Sequence, residues 1–339
     1  MDNQGKTGVL LVNLGTPDSP KLWDVFRYLN EFLTDGRVID IPWLFRQLLV
    51  RCMIVPRRFK QTAKGYQAIW TQEGSPLKVY GYLVQEALQK RLGGNYHVEL
   101  AMRYQNPSIP SVLEKMKGVK GLIVIPFFPQ YASATVGSVH QRVCETISKW
   151  EVIPKLSLIN HYYKHPALIK AFCKAASSYP VDNYDHILFS FHGLPERHVL
   201  KANSCGHCLK VKDCCKEISK KNENCYAAEC YATAQGIMKA LNIPKEKASI
   251  AFQSRLGKDP WLRPYTGEVI KNLARHGACH LLVFCPSFVC DCLETIEEIG
   301  VEYAQEFVEA GGKKLDLVRG LNDSEEWVET LVQLVTASC

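Results

Sequence analysis

The stretch His186-Ile187-Leu188-Phe189-Ser190-Phe191-His192-Gly193-Leu194-Pro195 decides the fold. From Ile187 to Phe191 it is apolar except for one serine, and it ends in a histidine and a glycine. A strand with one wet face would alternate polar and apolar residues. An unbroken apolar run closed by turn residues reads instead as a strand buried on both faces, the mark of a parallel sheet covered by helices. The same pattern recurs downstream at 249–253, 279–285 and 314–318. It recurs upstream at 8–14, 98–104, 121–128 and, more weakly, 156–159. Helical segments lie between them at 76–92, 109–117, 138–150, 166–177, 227–241, 267–276 and 293–310, with a last one at 325–336. Strands and helices alternating at this spacing make βαβ units with right-handed crossovers.

Each half of the chain therefore carries about four strands. The expected architecture is α/β, with two similar Rossmann-like halves. Each is a four-stranded parallel sheet flanked by helices, and an active-site cleft is expected between them. We divide the chain into 1–160, which includes an amphipathic lip at 39–58, and 161–339, which carries a cysteine-rich insertion at about 202–230. No close internal sequence repeat accompanies the similarity of layout.

With 339 residues, 47% hydrophobic and 22% charged, the chain is long and apolar enough for a substantial core and too apolar for disorder. The net charge of +7 is spread along the chain, so it suits an acidic small molecule or a membrane surface as well as nucleic acid. There is no secretory leader pattern and no apolar run of about 18 residues, so a cytoplasmic location is expected. No GxGxxG follows the first strand, and no P-loop or GxSxG elbow occurs, which disfavours dinucleotide, nucleotide and serine-hydrolase chemistry.

In open α/β sheets, ligands bind beyond the carboxyl ends of the strands. Those ends here are rich in Gly, Pro, polar and aromatic residues, and His192-Gly193 is one of them. A histidine in that place either takes protons near neutral pH or binds a metal through one ring nitrogen. A second group follows in Asp291-Cys292-Leu293-Glu294-Thr295-Ile296-Glu297-Glu298. As a helix it would carry Asp291, Glu294, Glu298 and Glu302 as one acidic stripe, which equally suits a solvated helix start. Glu294, close to the strand ends, is the candidate partner of His192. The lip at 39–58 mixes Trp43, Leu44 and Phe45 with arginines. It reads either as a packed helix or as a surface that meets lipid or a greasy ligand.

The chain has 14 cysteines, six of them in the run Cys205, Cys208, Cys214, Cys215, Cys225 and Cys230. In a cytoplasmic protein such a run points to a metal site rather than disulfides. Its spacing does not separate zinc from an iron–sulfur cluster. The flanking Lys210, Lys212, Lys216, Lys220 and Lys221 would offset thiolate charge.

Several strings, taken in order, resemble the ferrochelatase family. They are Leu11-Val12-Asn13-Leu14-Gly15-Thr16-Pro17, Arg27-Tyr28-Leu29, Phe128-Pro129-Gln130-Tyr131, Phe189-Ser190-Phe191-His192-Gly193-Leu194-Pro195, Phe252-Gln253-Ser254-Arg255, Pro264-Tyr265-Thr266 and Asp291-Cys292-Leu293-Glu294-Thr295. The resemblance runs from about residue 8 to 321. It implies a porphyrin cleft and insertion of Fe²⁺ into protoporphyrin IX to give haem. His192 and Glu294 then correspond to the family's active-site histidine and acidic partner, handling protons and the substrate iron. Tyr131, Trp261 and Phe288 would grip the macrocycle, Arg27 would meet a propionate, and the lip would face an apolar substrate or touch a membrane peripherally.

Two features depart from the family pattern. Many relatives carry His where this chain has Cys292. Cluster-bearing relatives often use C-terminal cysteines, of which this chain has only Cys339, and simpler bacterial members lack most of 202–224. The resemblance therefore implies an internal [2Fe–2S] cluster on four of the six thiols, with structural zinc as the alternative. Two rival functions are a non-catalytic haem or porphyrin carrier and a zinc module for nucleic acid. The pairing of His192 with Glu294 argues against the first, and the shortness of the cysteine segment against the second, so no nucleic-acid partner is expected. Oligomeric state is not legible.

Overall fold

Every apolar run forms a parallel strand, and the strands assort into two sheets. A computed structural model describes residues 3–203, 206–257 and 259–338. The chain divides into two compact units: the first comprises residues through Phe128, Ala132–Asn160 and the end of the chain from Leu331, and the second Pro129–Tyr131 with His161–Thr330.

In the first unit the strands are β1 (Thr7–Gly15), β2 (Tyr96–Tyr104), β3 (Gly121–Pro126) and β4 (Lys155–Leu158), in the order β2-β1-β3-β4. The central strand β1 pairs with both neighbours. Leu10 lies opposite Glu99 on one side and Val124 on the other. All six residues of β3 are buried, as a strand covered on both faces requires. Helices α1 (Leu22–Leu33), α2 (Trp43–Leu48), α3 (Val55–Ile69), α4 (Pro76–Leu92), α5 (Ile109–Lys115) and α6 (Ser138–Ile147) complete the unit. On one face of the sheet, Leu10, Val12, Leu122 and Val124 pack against Ile109 and Val112 of α5 and Val139 and Val143 of α6.

In the second unit α7 (Pro166–Ala175) precedes β5 (His186–His192). Then come α8 (Glu196–Ala202), α9 (Tyr226–Ala240), β6 (Ala248–Gln253), α10 (Thr266–Arg275), β7 (His280–Phe284), α11 (Ala304–Glu309) and β8 (Lys314–Leu317). The order β6-β5-β7-β8 repeats that of the first sheet, strand for strand. The last helix, α12 (Glu325–Ala337), runs from the second unit into the first.

Two sequence readings are corrected. The segment 293–310 is not a regular α-helix. Glu294–Tyr303 winds as a π-helix and only then continues as α11. Asp291 falls outside it, so the four-member stripe shrinks to Glu294, Glu298 and Glu302. The lip at 39–58 is no packed core helix: α2 and the π-turn Leu49–Ile54 that follows it expose Trp43, Leu44, Phe45 and Leu48, and the helical path runs on through α3 to Ile69. Among the described residues, no helix is long and apolar enough to cross a membrane.

Candidate active site

The site is built at the carboxyl end of the second sheet. His192 is the last residue of β5 and is half-buried. Its Nδ1 lies 2.7 Å from the carbonyl of Gly193. A carbonyl oxygen can only accept, so Nδ1 carries the proton and Nε2 keeps a free lone pair. The ring meets Phe288 edge-on, with centroids 6.2 Å apart.

Gly193 is required by close approach. A Cβ there would stand 2.9 Å from the Gln253 carbonyl, 3.0 Å from that of Ser254 and 3.3 Å from the Trp261 ring. With hydrogen in its place, Trp261 lies directly against the strand end. Its Nε1–H donates to the Leu256 carbonyl at 3.1 Å, and Pro195 and Trp261 form an isolated bridge.

Glu294 reaches the same edge through Gln253, which pairs with His192 in the register of β5 and β6. Gln253 is 1% exposed. Its carbonyl oxygen accepts from Ser190 Oγ at 2.8 Å, and its amide donates to the Glu294 carbonyl at 2.9 Å and to Glu298 Oε2 at 3.3 Å. Ser254 adds a hydroxyl donor to Glu298 Oε2 at 2.5 Å. Further along the π-helix, burial raises the carboxyl of Glu302 above its usual range, helped by the charges of Glu298, Glu297 and Glu306. Asp291 instead pins the loop before the helix, accepting from the Gly320 amide at 2.9 Å and from Asn322 Nδ2 at 2.7 Å.

Cys292 is buried. Burial first, then the charge of Glu294 and a hydrogen bond to it, push the thiol far up. A thiol kept neutral donates a hydrogen bond to Glu294 and is no thiolate ligand.

Tyr131 is tied to α9: its amide donates to Glu229 Oε2 at 2.7 Å, while Glu229 Oε1 lies 2.8 Å from His161 Nδ1. Glu229 is fully buried, and burial raises its carboxyl. The hydrogen bond to that carboxylate holds His161 above the ordinary imidazole range. Arg27 lies exposed on α1 in the first unit, 3.7 Å from Asp24.

Cys205 lies outside the described residues, as does Cys339. Of the remaining thiols, Cys214 and Cys215 stand 3.6 Å apart, and Cys225 is hydrogen-bonded to both Cys215 and Cys208. Cys225 precedes α9. The Cys215 hydrogen bond lowers it to about 6, with help from the amides of Ala228 and Ala227 and from Cys208. Cys230 is buried one turn further on, beside Tyr226. Among the described residues, no three His, Cys, Asp or Glu side chains already converge on a metal position.

Thus the structure sets His192 against Phe288, Trp261 against the adjoining Gly193 and Pro195, and links Glu294 to this edge through Gln253. It places Tyr131 against α9 and Arg27 on a helix of the other unit. Gln253 was visible in the sequence only as one strand-end residue among many. Glu229 and His161 carried no local pattern that would single them out.

The His161–Glu229 pair makes stability depend on pH. Both groups have raised pKa values in the fold, so the folded chain holds protons that the unfolded chain releases. The pair's contribution is complete below the ordinary carboxyl value and is lost as pH rises through the raised values. Between about pH 6 and about pH 8.5 the urea midpoint should fall, and Glu229→Gln should flatten that fall. His161→Ala, which leaves Glu229 buried without its partner, should cost about 1–3 kcal/mol in urea denaturation near neutral pH.

Comparison with known proteins agrees with this geometry. A family model described as Ferrochelatase matches residues 6–339. A protein named Ferrochelatase from Legionella pneumophila (strain Lens) is 42% identical over 330 residues, covering 97% of this chain and 98% of that protein. One from a strain of Pseudomonas putida is 44% identical over 331 residues, covering 96% and 97%. Among solved structures, SirB from Bacillus subtilis with Fe³⁺ superposes with a TM-score of 0.54 at 11% identity, over 98% of this chain and 95% of that one, a likeness of fold. With a family model across nearly its whole length and relatives above 40% identity, the chain belongs to the ferrochelatase family.

Proposed function

We propose that this chelatase inserts Fe²⁺ into protoporphyrin IX to form protohaem, the terminal step of haem synthesis, with His192 and Glu294 as the groups that move protons and receive the iron. The observation that carries this reading is the fixed tautomer of His192. With Nδ1 donating to Gly193, the neutral ring offers the Nε2 lone pair at a strand end. The reaction exchanges two pyrrole N–H protons for one divalent ion, so the site must accept protons and hold a cation in turn. His192 Nε2 takes a proton, and the carboxylates of Glu294, Glu298 and Glu302 provide a route for protons and for iron.

Tyr131, Trp261 and Phe288 are the aromatic surfaces offered to the macrocycle, and Arg27 the guanidinium offered to a propionate. His192→Ala should lower iron insertion about 100-fold to 10,000-fold with porphyrin binding retained, and Glu294→Gln should act in the same direction. Full activity in His192→Ala would remove the role given to it. A wild-type protein that binds porphyrin and leaves it metal-free would favour the carrier.

The cysteine segment we read as holding a [2Fe–2S] cluster on Cys208, Cys214, Cys215 and Cys225. The chain of thiol contacts among these four supports the choice, as does the pair of α9 amides that favours a thiolate at Cys225. Cys230 is engaged with Tyr226 and is left out. When bound, such a cluster supplies a cross-link across the segment and a one-electron couple. Purified protein should be coloured, with visible absorption bands that Cys225→Ser abolishes. Colourless protein with stoichiometric zinc would establish the alternative.

We place the enzyme in the cytoplasm, with α2 as a peripheral membrane lip. Trp43 and Phe45 are each 65% exposed and Leu44 57%, more apolar surface than an isolated helix face needs in water. The protein should co-sediment with vesicles of anionic phospholipid, and the Trp43→Ala/Phe45→Ala double variant should not. Equal sedimentation of the two would remove the lip's role.

A further inference from the structure

Strand β5 outlasts its neighbour. Phe189 pairs with Phe284, the last residue of β7, while β5 runs on for three more residues to His192. On its other side β5 is paired to the end: His192 lies opposite Gln253, and the Gly193 amide donates to the Gln253 carbonyl at 2.7 Å. The peptide groups of successive residues in a strand point to alternate sides. Those of His192 therefore face the side on which β7 has already ended. Peptide groups shielded from water need partners, and here no strand supplies them.

Two side chains do. The His192 amide donates to Ser287 Oγ at 3.1 Å, and the Tyr226 hydroxyl donates to the His192 carbonyl at 2.8 Å. Ser287 and Tyr226 are also hydrogen-bonded to each other. Having accepted from His192, the serine points its own proton at the tyrosine oxygen, whose proton is already committed to the His192 carbonyl. The three residues thus close a ring of contacts around the His192 peptide groups, which Tyr226 extends to Cys230. Tyr226 is 7% exposed and Ser287 8%, so water does not compete freely for these bonds. Among the described residues, the imidazole itself has one bond, to the neighbouring carbonyl, and an edge contact with Phe288. Its position is the position of its backbone.

We propose that Tyr226 and Ser287 form a backbone clamp that sets His192 for metal insertion. They are positioning residues, acting through His192 and not on the porphyrin, and the proposal rests on the reading of His192 as the acting group. Misplacing such a group by about 1 Å costs on the order of 100-fold in rate, so losing one bond of the clamp should cost part of that. Tyr226 is also the first residue after Cys225, which puts the clamp at the junction between the cysteine segment and the sheet.

The test uses Tyr226→Phe, which removes one hydroxyl and keeps the ring, Ser287→Ala, and the double variant. Each single variant should lower kcat for iron insertion by roughly 3- to 30-fold, with KM for protoporphyrin and the melting temperature near wild type. The double variant should lose less than the product of the two, because either change opens the same ring. With ¹⁵N-labelled histidine, the His192 Nδ1–H resonance should shift in both single variants. Wild-type kcat in Tyr226→Phe would overturn the clamp. So would a loss of kcat with an unmoved His192 resonance, since the effect would then come from elsewhere in the fold. If one variant does not fold, the other carries the test alone. Full activity in His192→Ala would instead sink the reading of His192, and the resonance shift would tell the two failures apart.

Discussion

The side-chain amide of Gln253 is the interaction on which the candidate site depends. It ends β6 beside His192, accepts a hydroxyl from β5 and donates to the main chain of Glu294 and the carboxylate of Glu298. The strand end that carries His192 and the helix that carries Glu294 and Glu298 are thereby held by one buried group. Few other side chains could replace it. A glutamate would lack the donors that Glu294 and Glu298 receive, and an aliphatic residue would remove the bonds to Ser190, Glu294 and Glu298 together.

The two units share a strand order, and each follows its third strand with a π-helix: Ser133–Gly137 after β3 and Glu294–Tyr303 after β7. The loosened winding thus belongs to the repeated architecture. The chemistry does not. The short π-turn of the first unit carries serine and threonine, and the long one of the second carries glutamates. The scaffold is repeated while the side chains on it diverge.

Buried charge in the second unit serves alignment. Glu229 sits without exposure inside α9, receives the Tyr131 amide and is balanced by His161. Cys292 is kept neutral by burial and by the charge of Glu294, to which it donates a hydrogen bond. The clamp on His192 has the same character: hydroxyls complete a peptide that the sheet leaves unpaired.

Length and periodicity by themselves determined the eight strands, the parallel class and the burial of inner strands such as β3 and β5. A run such as Ile187–Phe191 is buried whichever neighbours it finds, because its own residues demand it. Local punctuation likewise marked His192 and the acidic segment after Pro286. Tertiary structure alone decided the rest. The π-winding of Glu294–Tyr303 is invisible to a pattern that scores apolar spacing. Asp291 left the acidic stripe because Gly320 and Asn322, some thirty residues on, offered it better bonds. Tyr226 and Ser287 gained their roles because β7 stops three residues short of His192, and that length difference exists only once the strands are in register.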